Sequence, residues 1–220
     1  MNILVVAPHS DDETLGAGGT LLKLKKQGHN ISLLNVTMAD EKYGYTKEFV
    51  DKRKEQMRLV ADAYQFDKIY NLELEPAGLD KISKQELITK FGQVFIDVSP
   101  ELVFLPYEKD VHSDHGIVFE SAYSCTKAFR YPFVKVVLAM EILSETDYAN
   151  PENGFVPNLY VNIEKQLQQK INIMKIYESE IKNPPFPRSE ENIRSLATFR
   201  GCSAGYKYAE GFKIIKAIWG

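Results

Sequence analysis

The chain has 220 residues, 44% of them hydrophobic, which suits one domain with a sizeable buried core, and its formal net charge of -3 gives no footprint for nucleic acid or an anionic membrane. Its two cysteines, Cys125 and Cys202, exclude a disulfide framework or a cysteine-built zinc site, and Cys125 is expected in the core of its helix. No apolar stretch approaches the ~20 residues that cross a bilayer, and Met1–Val6 meets polar residues with no basic leader, so a cytoplasmic protein without a transmembrane segment is expected.

Ile3 to Ala7 is a short apolar run with β-branched residues and predicts a buried strand. A polar break at Pro8 to Glu13 precedes a helix over Thr14 to Gln27, stopped by Gly28, and a second strand over Ile31 to Val36. A helix follows from about Thr46 to Tyr64, with Val50, Arg53, Met57 and Tyr64 on its inward stripe. An arginine on that stripe needs a polar or anionic partner, either a structural salt bridge or sugar hydroxyls at a pocket wall. A strand near Lys68 to Leu72 leads to a helix over Ser83 to Val98, whose Ser83 and Glu86 have capping-box spacing. Then come a strand at Leu102 to Leu105, a loop from Pro106 to His115, a helix over Ile117 to Phe129 and a strand over Val134 to Leu143. Asn150 to Asn158 is rich in turn residues. Glu164 to Ile181 reads as one amphipathic helix, Asn183 to Pro187 as a break, Glu190 to Phe199 as a helix and Phe212 to Trp219 as an apolar run.

Strands alternating with helices predict an α/β fold, a Rossmann-like, mainly parallel sheet with helices on both faces. The whole of 1–220 is expected to be one domain, with 150–220 as a C-terminal elaboration. Ligands of such sheets bind beyond the C-terminal strand ends, which directs attention to two loops. Pro8-His9-Ser10-Asp11-Asp12-Glu13 follows the first strand, and His112-Ser113-Asp114-His115 follows the strand ending at Leu105; together they hold three of the 4 histidines. Imidazole and carboxylate suit zinc, and a catalytic zinc takes about three protein ligands and keeps one position open. His9, Asp12 and His115 supply three, Asp11 is left beside them without ligand duty, and Asp114 stands where it can orient or charge an imidazole. Ser10 and Glu13 alone also fit a helix cap, but two such clusters at two strand ends point to a site.

These segments resemble the signatures of the PIG-L/LmbE-like family of zinc-dependent N-acetylglucosaminyl deacetylases, A-H-P-D-D-E after the first strand and H-x-D-H about a hundred residues later. Gly16-Ala17-Gly18-Gly19, Arg53-Lys54-Glu55 and Tyr208-Ala209-Glu210-Gly211-Phe212 are similar to the family as well. Ser10 stands where the family has proline, and Pro8 is an extra residue before His9. The resemblance implies a Rossmann-like fold and Zn2+ on His9, Asp12 and His115, with Fe2+ or Co2+ fitting the same ligands. It further implies Asp11 as general base, His112 as oxyanion or leaving-group assistant, Asp114 as its partner, and a small N-acetylated sugar conjugate as substrate. Members often form oligomers, so a homo-oligomer is an open expectation.

Other readings are a zinc hydrolase of a different amide or acyl group, a structural metal-binding protein, and a nucleotide-binding Rossmann module. The last is weakened because the glycines lie inside the first helix and two aspartates occupy the turn where a pyrophosphate needs bare amides. Close helix–sheet packing explains those small residues better.

Overall fold

The computed structural model describes residues 1–219. Strands β1 (Asn2–Ala7), β2 (Asn30–Thr37), β3 (Lys68–Leu74), β4 (Leu102–Leu105), β5 (Val136–Met140), β6 (Leu159–Asn162) and β7 (Ala209–Ala217) form one 7-stranded sheet in the order β3-β2-β1-β4-β5-β7-β6. The pairings from β3 through β5 are parallel, and β7 runs antiparallel to both β5 and β6. The expected mainly parallel α/β sheet is present. β6 falls just beyond the turn-rich stretch and is too short and half-buried to show a periodicity.

Side chains alternate across the central strands, so each strand feeds two cores. Ile3, Val5 and Ala7 face helices α1 (Asp12–Lys26), α2 (Lys47–Tyr64), α5 (Leu167–Met174) and α6 (Glu190–Ala204). Leu4 and Val6 face α3 (Lys84–Val98) and α4 (Ser113–Ser124), with Cys125 in that core. Thr46, Ser83 and Ser189 cap α2, α3 and α6 by accepting from Phe49 N, Glu86 N and Asn192 N.

Three helices differ from expectation, α6 by running on to Ala204, five residues past Phe199. α4 begins at Ser113, where the His112 ring caps it, and ends at Ser124, both earlier than the expected Ile117 to Phe129. α5 ends at Met174, and the chain continues in turns in which Tyr177 stays buried. That burial prolongs the apolar repeat past the true helix end, while Ser179 and Glu180 reach Arg53 from the turns.

The glycine run lets α1 approach its neighbours closely. A Cβ on Gly18 would lie 2.5 Å from the Tyr64 hydroxyl, and one on Gly19 2.8 Å from Ile163. The buried Glu210 carboxylate accepts from Gly19 N at 2.8 Å and Thr20 N at 2.7 Å, and Lys170 joins Glu210 to Leu15 O. The ion pair thus locks α1 to β7 and α5, and with it the position of Asp12 at the N-terminus of α1. Packing, not nucleotide binding, accounts for these glycines.

Candidate metal centre and catalytic cleft

β1 and β4 are neighbours whose following connections leave toward opposite sides of the sheet, so a crevice opens at their C-terminal ends. His9 lies in the loop after β1, Asp12 opens α1, and His115 sits in the first turn of α4. Pro8 O pins the first loop to β2 by accepting from Thr37 N at 3.0 Å and Thr37 Oγ1 at 2.8 Å.

His9 Nδ1 lies 3.4 Å from Asp12 Oδ2, His115 Nε2 lies 3.4 Å from the same oxygen, and the two nitrogens are 3.4 Å apart. Tetrahedral zinc, with bonds of about 2.0–2.1 Å, needs ligand separations of roughly 3.3–3.4 Å. The equal-sided donor triangle therefore fits such an ion. Behind each histidine stands a carboxylate: Asp114 Oδ2 is 3.1 Å from His9 Nε2, and Asp110 Oδ2 is 2.8 Å from His115 Nδ1. These contacts orient the rings and aim the other nitrogen of each into the triangle. His9, His112 and Asp114 also come together, but there Asp114 already accepts from His9, which makes this trio a supporting network.

The electrostatics agree. Burial favours neutral rings, yet Asp114 and Asp12 raise His9 to about 9, and Asp12 with Asp110 raises His115 to about 10. Asp12 is held well below the usual carboxylate range: burial opposes its ionisation, and His115 and His9 outweigh it. The carboxylates draw positive charge into the triangle. A divalent cation supplies that charge and leaves the imidazoles neutral, as ligands must be.

Asp11 is set apart from this ligand set. Its backbone has φ 133, and its carboxylate makes no helix-capping hydrogen bond. Its N–H donates to Glu13 Oε2 at 3.2 Å, and Arg188 Nη1 donates to its Oδ2 at 2.8 Å. Burial and the adjacent Asp12 push its carboxyl well above the usual range, against the pull of Arg188. The Ser10–Glu13 capping box does not form, because Asp11 is the N-cap and Ser10 Oγ accepts from Arg53, although Glu13 still reaches back to the Asp11 N–H.

His112 stands beside His9 at the cleft, with the ring centroids 4.4 Å apart. Its Nδ1 accepts from Asp114 N at 3.2 Å, which places the proton of the neutral ring on Nε2. Burial and the neighbouring His9 lower its pKa. The Asp114 carboxylate stands farther off, with Oδ2 4.0 Å from His112 Nδ1, and it also accepts from Ala77 N at 2.7 Å. With Nδ1 accepting in this capping bond, Nε2 is the donor of the neutral ring.

Arg53 is buried, as its place on the inward stripe requires, and bonds to Ser10 O and Oγ at 3.2 Å, to Ser179 and to Glu180. Ser10 thus has a partner that proline would lack on its side chain. Arg53 also lines a cleft of about 320 Å³ shared with His9, Asp11, Asp12, His112 and Arg188. Asp110, Glu180 and Arg188 escape a reading of the sequence. Asp110 had a signal, as a further carboxylate in the second motif loop. Arg188 had only its place as a lone arginine after a proline-rich break.

The family model described as PIG-L, GlcNAc-PI de-N-acetylase, matches residues 4–126, more than half of the chain. The chain belongs to the PIG-L family. Among curated relatives, a diacetylchitobiose deacetylase of Thermococcus kodakarensis is 24% identical, aligned over 99% of this chain and 84% of its own length. Among solved structures, the N,N'-diacetylchitobiose deacetylase of Pyrococcus horikoshii superposes with a TM-score of 0.77 at 23% identity, over 97% of this chain and 83% of that one. The 4-carboxy-2-hydroxymuconate hydratase GalB of Pseudomonas putida KT2440 has the same TM-score, 0.77, at 18% identity over 100% and 98%. Likenesses this distant show the fold, and a hydratase among them means that the chemistry of this PIG-L protein must be argued from its site. No helix among the described residues is long and apolar enough to cross a membrane.

Proposed function

We propose that this PIG-L protein is a cytoplasmic zinc-dependent N-deacetylase that converts an N-acetylglucosamine-containing small molecule into acetate and a free amine. The observation that carries the proposal is the 3.4 Å donor triangle of His9, Asp12 and His115 beside an uncapped, buried Asp11 carboxylate. The relatives named as diacetylchitobiose deacetylases support the sugar class.

Zinc on the triangle supplies Lewis acidity to the acetamide carbonyl and the attacking water. Asp11 takes a proton as the water oxygen bonds to the carbonyl carbon. His112 donates from Nε2 to the carbonyl oxygen as negative charge develops there. When the C–N bond breaks, Asp11 returns its proton to the departing nitrogen, because neutral His112 holds only the proton that serves the oxyanion. Asp114 keeps His9 in register and Asp110 does so for His115. Arg53 shapes the wall through Ser10 and Glu180, at the rim where sugar hydroxyls are expected.

The test is acetate release by zinc-loaded protein from N-acetylglucosamine conjugates that differ in aglycone. Release from at least one is expected. Silence across the panel with zinc verified in the protein would overturn the sugar assignment.

A further inference from the structure

The inner cleft is polar, and its rim carries an ordered aromatic stack. The Arg53 guanidinium lies 5.3 Å from the Phe49 ring centre, and the Phe49 and Tyr45 rings stack with centroids 5.5 Å apart at 19°. Exposure rises along the stack, from buried Arg53 through half-buried Phe49 to Tyr45 at 37%, and all three line the cleft. Tyr45 is also held along the chain. Gly44, with φ 89, ends a 3-10 turn over Glu41–Tyr43, and Thr46 caps α2. A ring fixed in this way loses little further entropy when a ligand covers it. Its electron-rich face suits the C–H face of a sugar ring.

Charge narrows the ligand further. The cleft has two guanidinium groups, and both are engaged by the chain: Arg53 with Ser10, Ser179 and Glu180, and Arg188 with Asp11 and Glu180. Their Nε atoms make no hydrogen bond, but they are buried and so out of reach of a ligand in the cleft. Asp11, Asp12, Glu145 and Glu180 line the same space. Turning either arginine toward a phosphate would strand a buried or half-buried carboxylate, at substantial cost. At about 320 Å³ the cleft is at the small end for ligand sites, so a second ring meets the rim.

We infer that Tyr45, backed by Phe49, is a stacking platform for a phosphate-free sugar ring attached to the N-acetylated one, and that the site disfavours phosphate-bearing aglycones. The inference rests on the deacetylase reading for the group held in the inner cleft.

Calorimetry with zinc-loaded protein tests it. The deacetylated sugars chitobiose, glucosamine and glucosamine 1-phosphate serve as probes, since they carry no acetyl group to hydrolyse. Chitobiose is expected to bind about tenfold or more tighter than either other probe. Tyr45→Ala removes that advantage without changing the glucosamine Kd, and Tyr45→Phe retains it. Equal weakening of glucosamine and chitobiose by Tyr45→Ala, no change in either, tightest binding of glucosamine 1-phosphate, or no binding of any probe would each overturn the platform. Acetate release by the wild type from the acetylated sugars reports on the deacetylase reading separately. Tyr45-dependent chitobiose binding without any release overturns that reading and leaves the platform standing.

Discussion

Arg188 Nη1 lies 2.8 Å from Asp11 Oδ2, and the same guanidinium reaches Glu180, which in turn holds Arg53 beneath Ser10. A segment near the C-terminus thereby braces the first motif loop. Arg188→Met is expected to lower kcat with zinc content unchanged. In a double-mutant cycle with Asp11→Asn, followed by urea unfolding, the pair is expected to couple by about 0.5–3 kcal/mol. Additive effects within error would mean that the contact does not support Asp11.

The carboxylates behind the ligand histidines make a second prediction. Asp110→Asn and Asp114→Asn should each weaken zinc binding by about 10–100-fold, read by competition with a chromophoric chelator, with the circular dichroism spectrum retained. Unchanged affinity in both variants would contradict their orienting role.

Backbone conformation at Asp11 separates strain from chemistry. With φ 133, any side chain there is strained, whereas glycine is at ease. Asp11→Gly is expected to be more stable than Asp11→Ala by about 1–2 kcal/mol, although both lose the same carboxylate. Equal melting temperatures for the two variants would remove the strain argument.

The cysteines provide a check on the second core. Burial pushes the Cys125 thiol up, while Cys202 is exposed. A thiol reagent should therefore modify Cys202 in the native protein and reach Cys125 only after unfolding. Native-state labelling of both would show that the face packed by α3 and α4 opens readily.

Much of this arrangement was legible because it is local. Apolar runs mark β1, β2 and β4, capping-box spacing marks α3, and the two motif loops carry every member of the donor triangle within short, chemically unusual stretches. What escaped reading depends on distance. Arg188 meets Asp11 across 177 positions, and nothing near either residue announces the other. The length of α5 was misread because Tyr177 is buried from a turn, and burial alone sustains a periodicity without a helix. The geometry between Asp114 and His112 escaped reading for a finer reason. Neighbours in a motif need not bond, and Asp114 turns instead toward His9 and the Ala77 amide.

The central claim separates two jobs, with His9, Asp12 and His115 holding zinc and Asp11 moving protons. Asp11→Asn tests it most directly, by measuring zinc content and acetate release on the same sample. Full zinc occupancy with release reduced by about a hundredfold or more is predicted. Near-normal release, or zinc lost along with the carboxylate, would contradict the account.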